Sequence, residues 1–554
     1  MLKILKFPLL LLISFMSFQL QAQTVYQHVS DKNIYDFVDE LANAGIVDLN
    51  SAVKPYSRMM IADALLAGQK NTEKLNRRQL KEIEFYLKEY KLEADSLPDY
   101  NTKFDIFKSN QNLAIAINPL GLFYKDKLFS FAVKPIWGIN YYINDQESIY
   151  HRWGGAEAFA YVGDHWAFYA SLRDNNETKR ISDPEYFTLR PGGAYKYTPD
   201  GGGDYSEMRG GVTYAWKWGT VGLLKDHVNW GNNEHGPMIF SDRAPSFAQI
   251  KLQIKPVKWF ELNYFHGWLV SMEVDSVRSY YSGYPPREVY RPKYVAANIF
   301  TFTPWRKLNI SIGNSIIYSD MNVHPAYLIP VMFYKSIDHT VNNGIDNQNS
   351  QMFLDISSRN IKKLHLYGTL YIDELKFDRI TDPNTHNFWA TKLGAKTTNL
   401  GLQNVSLTVE YSMSMPITYE HRVPTLTFAS NYYNLGYYLR DNSQEIYAAI
   451  EFKPVRGLHV KGSYALAQHG PDYAYDLNDD EGDFVDEHPF MERVTWQNQT
   501  ISLGARYEFI NNAYIFAEYI LSDITGDEEQ VNYYTPEFFR GKQNTISAGF
   551  NIGF

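Results

Sequence analysis

Two periodicities divide the chain. Between residues 30 and about 93, apolar side chains recur at helical spacing: Ile34, Phe37, Val38 and Leu41, then Met60, Ala64 and Leu65, then Leu80, Ile83, Leu87 and Tyr90. This pattern predicts three short amphipathic helices. Ser30 is placed to cap the first and Gly45 to end it. Ser57 or the Pro55-Tyr56 turn opens the second, which Gly68 closes, and Asn71 or Thr72 begins the third. From about residue 103 the period falls to two. In GGAEAFAYVGDHWAFYASLRDN two alternating runs meet at Val162-Gly163-Asp164-His165, a tight hairpin. Similar runs occur around residues 113–117, 131–143, 250–264, 309–318, 364–372, 405–411, 446–452, 459–467, 501–507 and 514–521. The last ten residues alternate too, with Ile546, Ala548, Phe550, Ile552 and Phe554 on one face and Thr545, Ser547, Gly549, Asn551 and Gly553 on the other.

Strands with one apolar and one small or polar face suit a barrel in lipid, where the last strand pairs with the first and no edge is left open. At roughly 25 residues per strand and connection, the alternating region predicts an all-β transmembrane barrel of about 16–18 antiparallel strands. A small N-terminal α-helical domain, too small to be stable alone, would lean on the barrel's inner mouth. Longer polar segments, 191–204, 338–351 and 472–487, read as outer loops or inward folds.

The N-terminus supplies the route. Lys3 and Lys6 precede an apolar run from Pro8 to Phe18, then Leu20, Gln21 and Ala22, which is the layout of a signal peptide cleaved after Ala22. The expected organisation is therefore a signal peptide over 1–22, a periplasmic three-helix domain over 23–98 and an outer-membrane barrel over 99–554. Aromatic residues make up 16% of the chain, enough to supply two interfacial girdles and a lined lumen. With no cysteine, disulfides and thiolate chemistry are excluded, and a net charge of -9 offers no field for nucleic acid.

The stretch least like a strand is DHVNWGNNEHGPMIFSDRAPSFAQIKL, residues 226–252. Trp230, Asn232, Glu234, His235, Asp242 and Arg243 combine an aromatic ring with amide, carboxylate and guanidinium groups, the set used to stack on a pyranose and bind its hydroxyls. The alternative is a loop folded into the lumen whose polar groups satisfy one another, and both readings are compatible.

The run WGNNEHGPMIFSDRAPSF resembles the signature of Wzi-type capsule assembly proteins. So do LANAGIVDLNSAVKPYSRMMIADALL, VHPAYLIPVMFY with GIDNQNSQMFLDI, and LYGTLYIDELKF. The resemblance implies an outer-membrane barrel lectin, plugged by helices at its periplasmic end, that assembles or retains surface polysaccharide without catalysis. On this reading Asp346, Asn347, Asn349 and Asp355 join the tryptophan loop as polysaccharide-binding candidates. The implied partners are surface polysaccharide, outer-membrane lipid, the barrel assembly machinery during biogenesis, and an envelope protein docking on residues 30–93. No cofactor is implied.

Other classes fit less well. No G-x-S-x-G motif supports a barrel lipase, and Asp373 and Glu374 adjoin on a strand and so face opposite sides, unlike a glycosidase pair. Asp476 to Glu487 falls short of an EF-hand by the position of Gly482, and His227, His235 and His266 show no zinc spacing, so no metal is assigned. A passive porin and a structural subunit of a secretion or motility machine stay open. The helix-turn-helix around Arg58 is also similar to surface-layer homology units, the plainer alternative being that Arg58 pairs within the bundle.

Overall fold

The computed structural model describes residues 23–94, 113–283, 285–341, 345, 347–375, 377, 387–399, 401–473 and 488–554. The expected signal peptide and the acidic run 476–487 lie outside the described residues. Eighteen antiparallel strands close into a barrel. In chain order they are β1 (Phe129–Ile143), β2 (Ser148–Val162), β3 (Trp166–Glu177), β4 (Gly203–Trp216), β5 (Gly219–Asp226), β6 (Phe247–Val257), β7 (Phe260–Val274), β8 (Tyr290–Trp305) and β9 (Leu308–Ser319). They continue as β10 (Gln348–Ser358), β11 (Leu364–Glu374), β12 (Phe388–Thr398), β13 (Val405–Ser414), β14 (Ser443–Phe452), β15 (Leu458–His469), β16 (Trp496–Ile510), β17 (Ala513–Gly526) and β18 (Gly541–Ile552). Closure is made by β18 on β1, from Ile546 opposite Ile143 to Ile552 opposite Trp137. The expected hairpin at Gly163 joins β2 to β3, with Gly163 at φ 58°.

Alternation sorts each strand as lipid requires. In β18, Ile546 and Ala548 are exposed while Thr545, Ser547 and Asn551 are buried toward the lumen. Phe554 departs from the expected pattern. The strand ends at Ile552, Gly553 turns at φ 81°, and the Phe554 ring lies buried against His28, with ring centroids 3.9 Å apart. The segment Leu113–Ile117 pairs with Leu120–Lys125 and that strand with the start of β1, so it forms a hairpin added to the wall. Exposed Trp166, Trp218, Trp259 and Trp305 stand beside the short turns, forming one aromatic girdle.

Three helices fill the short-turn mouth: α1 (Lys32–Asn43), α2 (Arg58–Lys70) and α3 (Arg77–Glu89). Ser57 caps α2 as its sequence suggests, accepting from the Met60 amide at 3.1 Å. Gly68 does not end that helix. It lies within it, where a Cβ would meet Ile83 of α3 at 2.6 Å, so the missing side chain lets the two helices touch. The third helix begins later than expected because residues 72–74 form a 3-10 turn and Asn76 makes a capping box with Gln79.

Charged pairs fasten this plug to the wall. Lys134 of β1 meets Glu89, Arg359 meets Asp39, and Lys453, just after β14, meets Glu40 at 3.5 Å. Arg58 is buried; it donates to Glu89 at 3.0 Å and Glu93 at 2.5 Å, and its guanidinium covers the ring of Phe159 in β2. Arg58 thus pairs within the bundle while touching the wall. Burial alone would raise the Glu89 pKa, but Lys134 and Arg58 outweigh it and hold the carboxyl below its usual range. Losing one partner of such a buried pair costs about 3–5 kcal/mol, because the other charge stays buried alone.

One connection runs along the outside of the barrel. After β9, a 3-10 turn at Pro325–Leu328 and a short helix, α4 (Tyr334–Val341), lie over the outer face of β7, β8 and β9. Beneath them are His266, Asn298 and Asn314, polar side chains that lipid would otherwise meet at high cost. Asn298 donates to the carbonyls of Pro330 and Met332 at 3.0 and 2.8 Å, Asn314 accepts from the Tyr334 amide at 2.9 Å, and His266 pairs with Tyr318 at 2.6 Å. The strap exposes Leu328, Ile329, Val331, Met332 and Phe333 on its far side. Because the chain contains no cysteine, a fluorophore on Val331→Cys is unique. Brominated acyl chains are predicted to quench it strongly in reconstituted vesicles, and quenching by aqueous iodide alone would place the strap in water.

Candidate functional site: an inward loop and the mouth it supports

The stretch between β5 and β6 folds into the lumen instead of projecting from it. Gly231 and Gly236 take φ of 100° and 73°, turning the chain where side chains would be strained. Val53 and Lys54, between α1 and α2, pair with Trp230 and Asn229 as a two-residue ribbon, and the Gly231 amide donates to Ala52 at 2.8 Å. Trp230 is 1% exposed, with its ring edge-on to Phe240 and Phe265 at 5.5 and 5.1 Å. No face of that indole is open to a sugar. Its Nε1 has no hydrogen-bond partner among the described residues.

The polar members reach across the lumen. Asn232 donates its amide and side chain to Asp355 of β10 at 2.8 and 2.5 Å, and Thr369 of β11 completes that carboxylate's partners at 2.6 Å. The amides of Glu234 and His235 donate to the two oxygens of Glu410 in β13 at 2.8 and 2.9 Å, and the Glu234 carboxylate binds Lys396 of β12 at 2.8 Å. His235 stacks on Tyr447 of β14 at 4.1 Å and reaches Glu445 at 3.2 Å. Asp242 accepts from Asn229 at 2.9 Å. The expected site residues are therefore brought together as the polar interior of a plug.

Arg243 carries this packing to the long-loop mouth. Its guanidinium donates to the carbonyls of Asp183 and Pro184, both at 3.1 Å, and to that of Tyr186, and it faces the Tyr433 ring at 5.5 Å. Burial and the neighbouring Arg440 push its pKa down to about 10, still far above neutral, so the guanidinium stays charged. Arg440 grips the same turn, donating to Pro184 and to Glu185 at 3.0 Å each. Tyr533 donates to that Glu185 carboxylate at 2.8 Å. Around it stand Tyr197 and Tyr432, both exposed, with the Arg180 guanidinium 4.7 Å from the Tyr197 ring.

These mouth residues were not singled out by sequence. They come from three separate connections, after β3, β13 and β17, and single tyrosines in a chain holding 43 give no signal. Of the remaining candidates, Asn349 reaches the Leu426 carbonyl at 3.4 Å and Asn347 contacts Met321, while Asp346 lies outside the described residues. Asp373 is buried and accepts from the Tyr419 amide at 2.8 Å, so it supports another inward loop.

Fold and interior together define a plugged outer-membrane β-barrel. The model of the Wzi capsule assembly protein family matches residues 142–452, and the chain belongs to that family. A comparison with curated proteins gives no match. Among solved structures, the chain is similar to Wzi, an outer membrane protein involved in group 1 capsule assembly in Escherichia coli and described as a carbohydrate-binding β-barrel. The identity is 12% and the TM-score 0.54, over 96% of this chain and 100% of that one. Weaker likeness extends to OccD3 (OpdP) of Pseudomonas aeruginosa, at 11% identity and TM-score 0.42, over 76% of this chain and 90% of that one.

If the loop is a packed plug, its residues should act on stability. Trp230→Ala removes a fully buried ring and is predicted to cost about 3–5 kcal/mol. Asn232→Ala takes the side-chain donor from the buried Asp355 carboxylate and leaves position 232 only its backbone amide to donate, at about 1–3 kcal/mol. Both variants should lower the temperature at which the folded band converts on semi-native gels. An unchanged conversion temperature would contradict the packing role.

Proposed function

We propose that the protein binds and helps assemble or retain capsular or extracellular polysaccharide at the cell surface, without catalysis, through the tyrosine-rich mouth. The carrying observation is the convergence of Tyr197, Tyr432 and Tyr533 with Arg180, Glu185 and Arg440 above a filled lumen. Flat aromatic rings beside charged groups suit pyranose rings and their hydroxyls or acidic substituents. A polymer presents many weak contacts at once, so modest affinity per sugar sums to retention.

On this reading the residues first picked out by sequence act from below. Trp230, Asn232, Glu234, His235 and Asp242 hold the plug, Arg243 fixes the turn that carries Glu185, and Asn349 and Asp355 anchor its surroundings. The short-turn end, with its girdle of tryptophans and its helices, faces the periplasm, as in other outer-membrane barrels. Arg77, Lys81, Glu84 and Lys88 of α3 are exposed there, offering a charged face to an envelope partner.

The test is the triple variant Tyr197→Ala, Tyr432→Ala, Tyr533→Ala in a correctly inserted barrel. Polysaccharide retained on intact cells is predicted to fall at least several-fold, with binding on a glycan array falling in step. Unchanged retention would refute the assignment to this mouth.

A further inference from the structure

The residues before α1 climb the inner wall along β4 and β5. Gln23 donates to the carbonyl of Gly163 at 2.6 Å, Thr24 meets Thr220 at 3.0 Å, and Thr213 donates to the Thr24 carbonyl at 2.6 Å. This path delivers His28 to a point inside the barrel where β4 presents Glu207 and the chain leaving β5 presents His227. His28 Nε2 lies 3.0 Å from Glu207 Oε1, and His227 Nε2 lies 2.7 Å from the same oxygen. The three ligand-capable atoms all fall within 4.8 Å of one another, and both imidazoles are 4% exposed.

We propose that His28, Glu207 and His227 form a binding site for one first-row transition metal ion, with zinc the best match to the donors. Two imidazole nitrogens and one carboxylate are a donor set that zinc takes with an open fourth position. The surroundings fit such a site. His28 is oriented from behind by Ser30, whose backbone amide donates to Nδ1 at 3.1 Å and whose Oγ lies 2.5 Å from the same nitrogen. Phe554 stacks on the same ring and shields it. The neighbouring Asp226 is already engaged by Arg209 at 2.7 Å, leaving Glu207 as the carboxylate free to serve the two histidines. A small cavity lined by Gln27, His28 and Arg209 gives room for water nearby.

The function of such an ion would be a staple. It would join the N-terminal segment to β4 and to the base of the inward loop, tying the helical plug and the lumen plug to one wall through a single centre. Metal affinity of this kind adds directly to the stability of the folded state that holds it.

The experiment uses the full mature chain in detergent, stripped with chelator and titrated with Zn(II) by calorimetry and with Co(II) by visible absorption. The expected result is one ion per chain and a Co(II) spectrum of low coordination number. His227→Ala and Glu207→Gln should each weaken Zn(II) binding at least tenfold, while His151→Ala and His165→Ala bind like the parent. Bound Zn(II) should also slow proteolysis within residues 23–31. Folded band mobility on semi-native gels checks that each variant retains the barrel; if His227→Ala does not fold, His28→Gln replaces it under the same criterion. Absence of stoichiometric binding by the folded parent, or stoichiometric binding that survives the His28 and His227 substitutions, would overturn the proposal.

Discussion

A closed ring of eighteen strands satisfies its own backbone in lipid, but it encloses more space than wall side chains can fill. That surplus interior is the constraint on which the rest of the structure depends. Here it is filled from both ends, by helices at the short-turn mouth and by inward connections from the long-loop side. The helices alone would be too small to hold together, so the wall supplies part of their core and most of their counter-charges. Glu89 shows the division: Arg58 from α2 and Lys134 from β1 converge on one carboxylate, making helix packing and barrel docking the same event.

The two fillings are joined. Val53 and Lys54 pair with Trp230 and Asn229, and the loop then spends its polar side chains on β10, β12 and β14 and its amides on Glu410 of β13 before Arg243 reaches the mouth. A chain of contacts therefore runs from the helices to the turn bearing Glu185. A conspicuous tryptophan motif can in this way sit at the centre of a plug, its ring enclosed by other side chains. The outer strap solves a related problem in reverse, covering Asn298 and Asn314 on a face where bare polar groups would be intolerable.

Much of this architecture was legible because lipid enforces a strict period of two. Ile546 and Thr545 face opposite ways for the same reason that they alternate in sequence, and the family resemblance around Trp230 pointed to the right relatives. Strands β4, β5, β8, β10 and β12 escaped notice. Glycines in β4 and β5 and Pro292 in β8 blur the apolar face, and in β12 the face opposite the lumen-directed Lys392 and Lys396 mixes Thr391 and Thr397 with Leu393. The candidate residues were recognised as a set, with a loop folded into the lumen left open beside the sugar-binding reading. Composition cannot distinguish an asparagine that binds a sugar from one that binds Asp355 across 123 positions of chain. His28, Glu207 and His227 were equally hidden, since only barrel closure and the climb of the N-terminal segment bring them together.

The filled lumen separates this barrel from a porin of similar wall. Single-molecule conductance in planar bilayers tests it most directly. The intact protein is predicted to pass little or no steady current, whereas a variant lacking residues 231–241 opens a measurable channel. A large, stable conductance from the intact protein would contradict it.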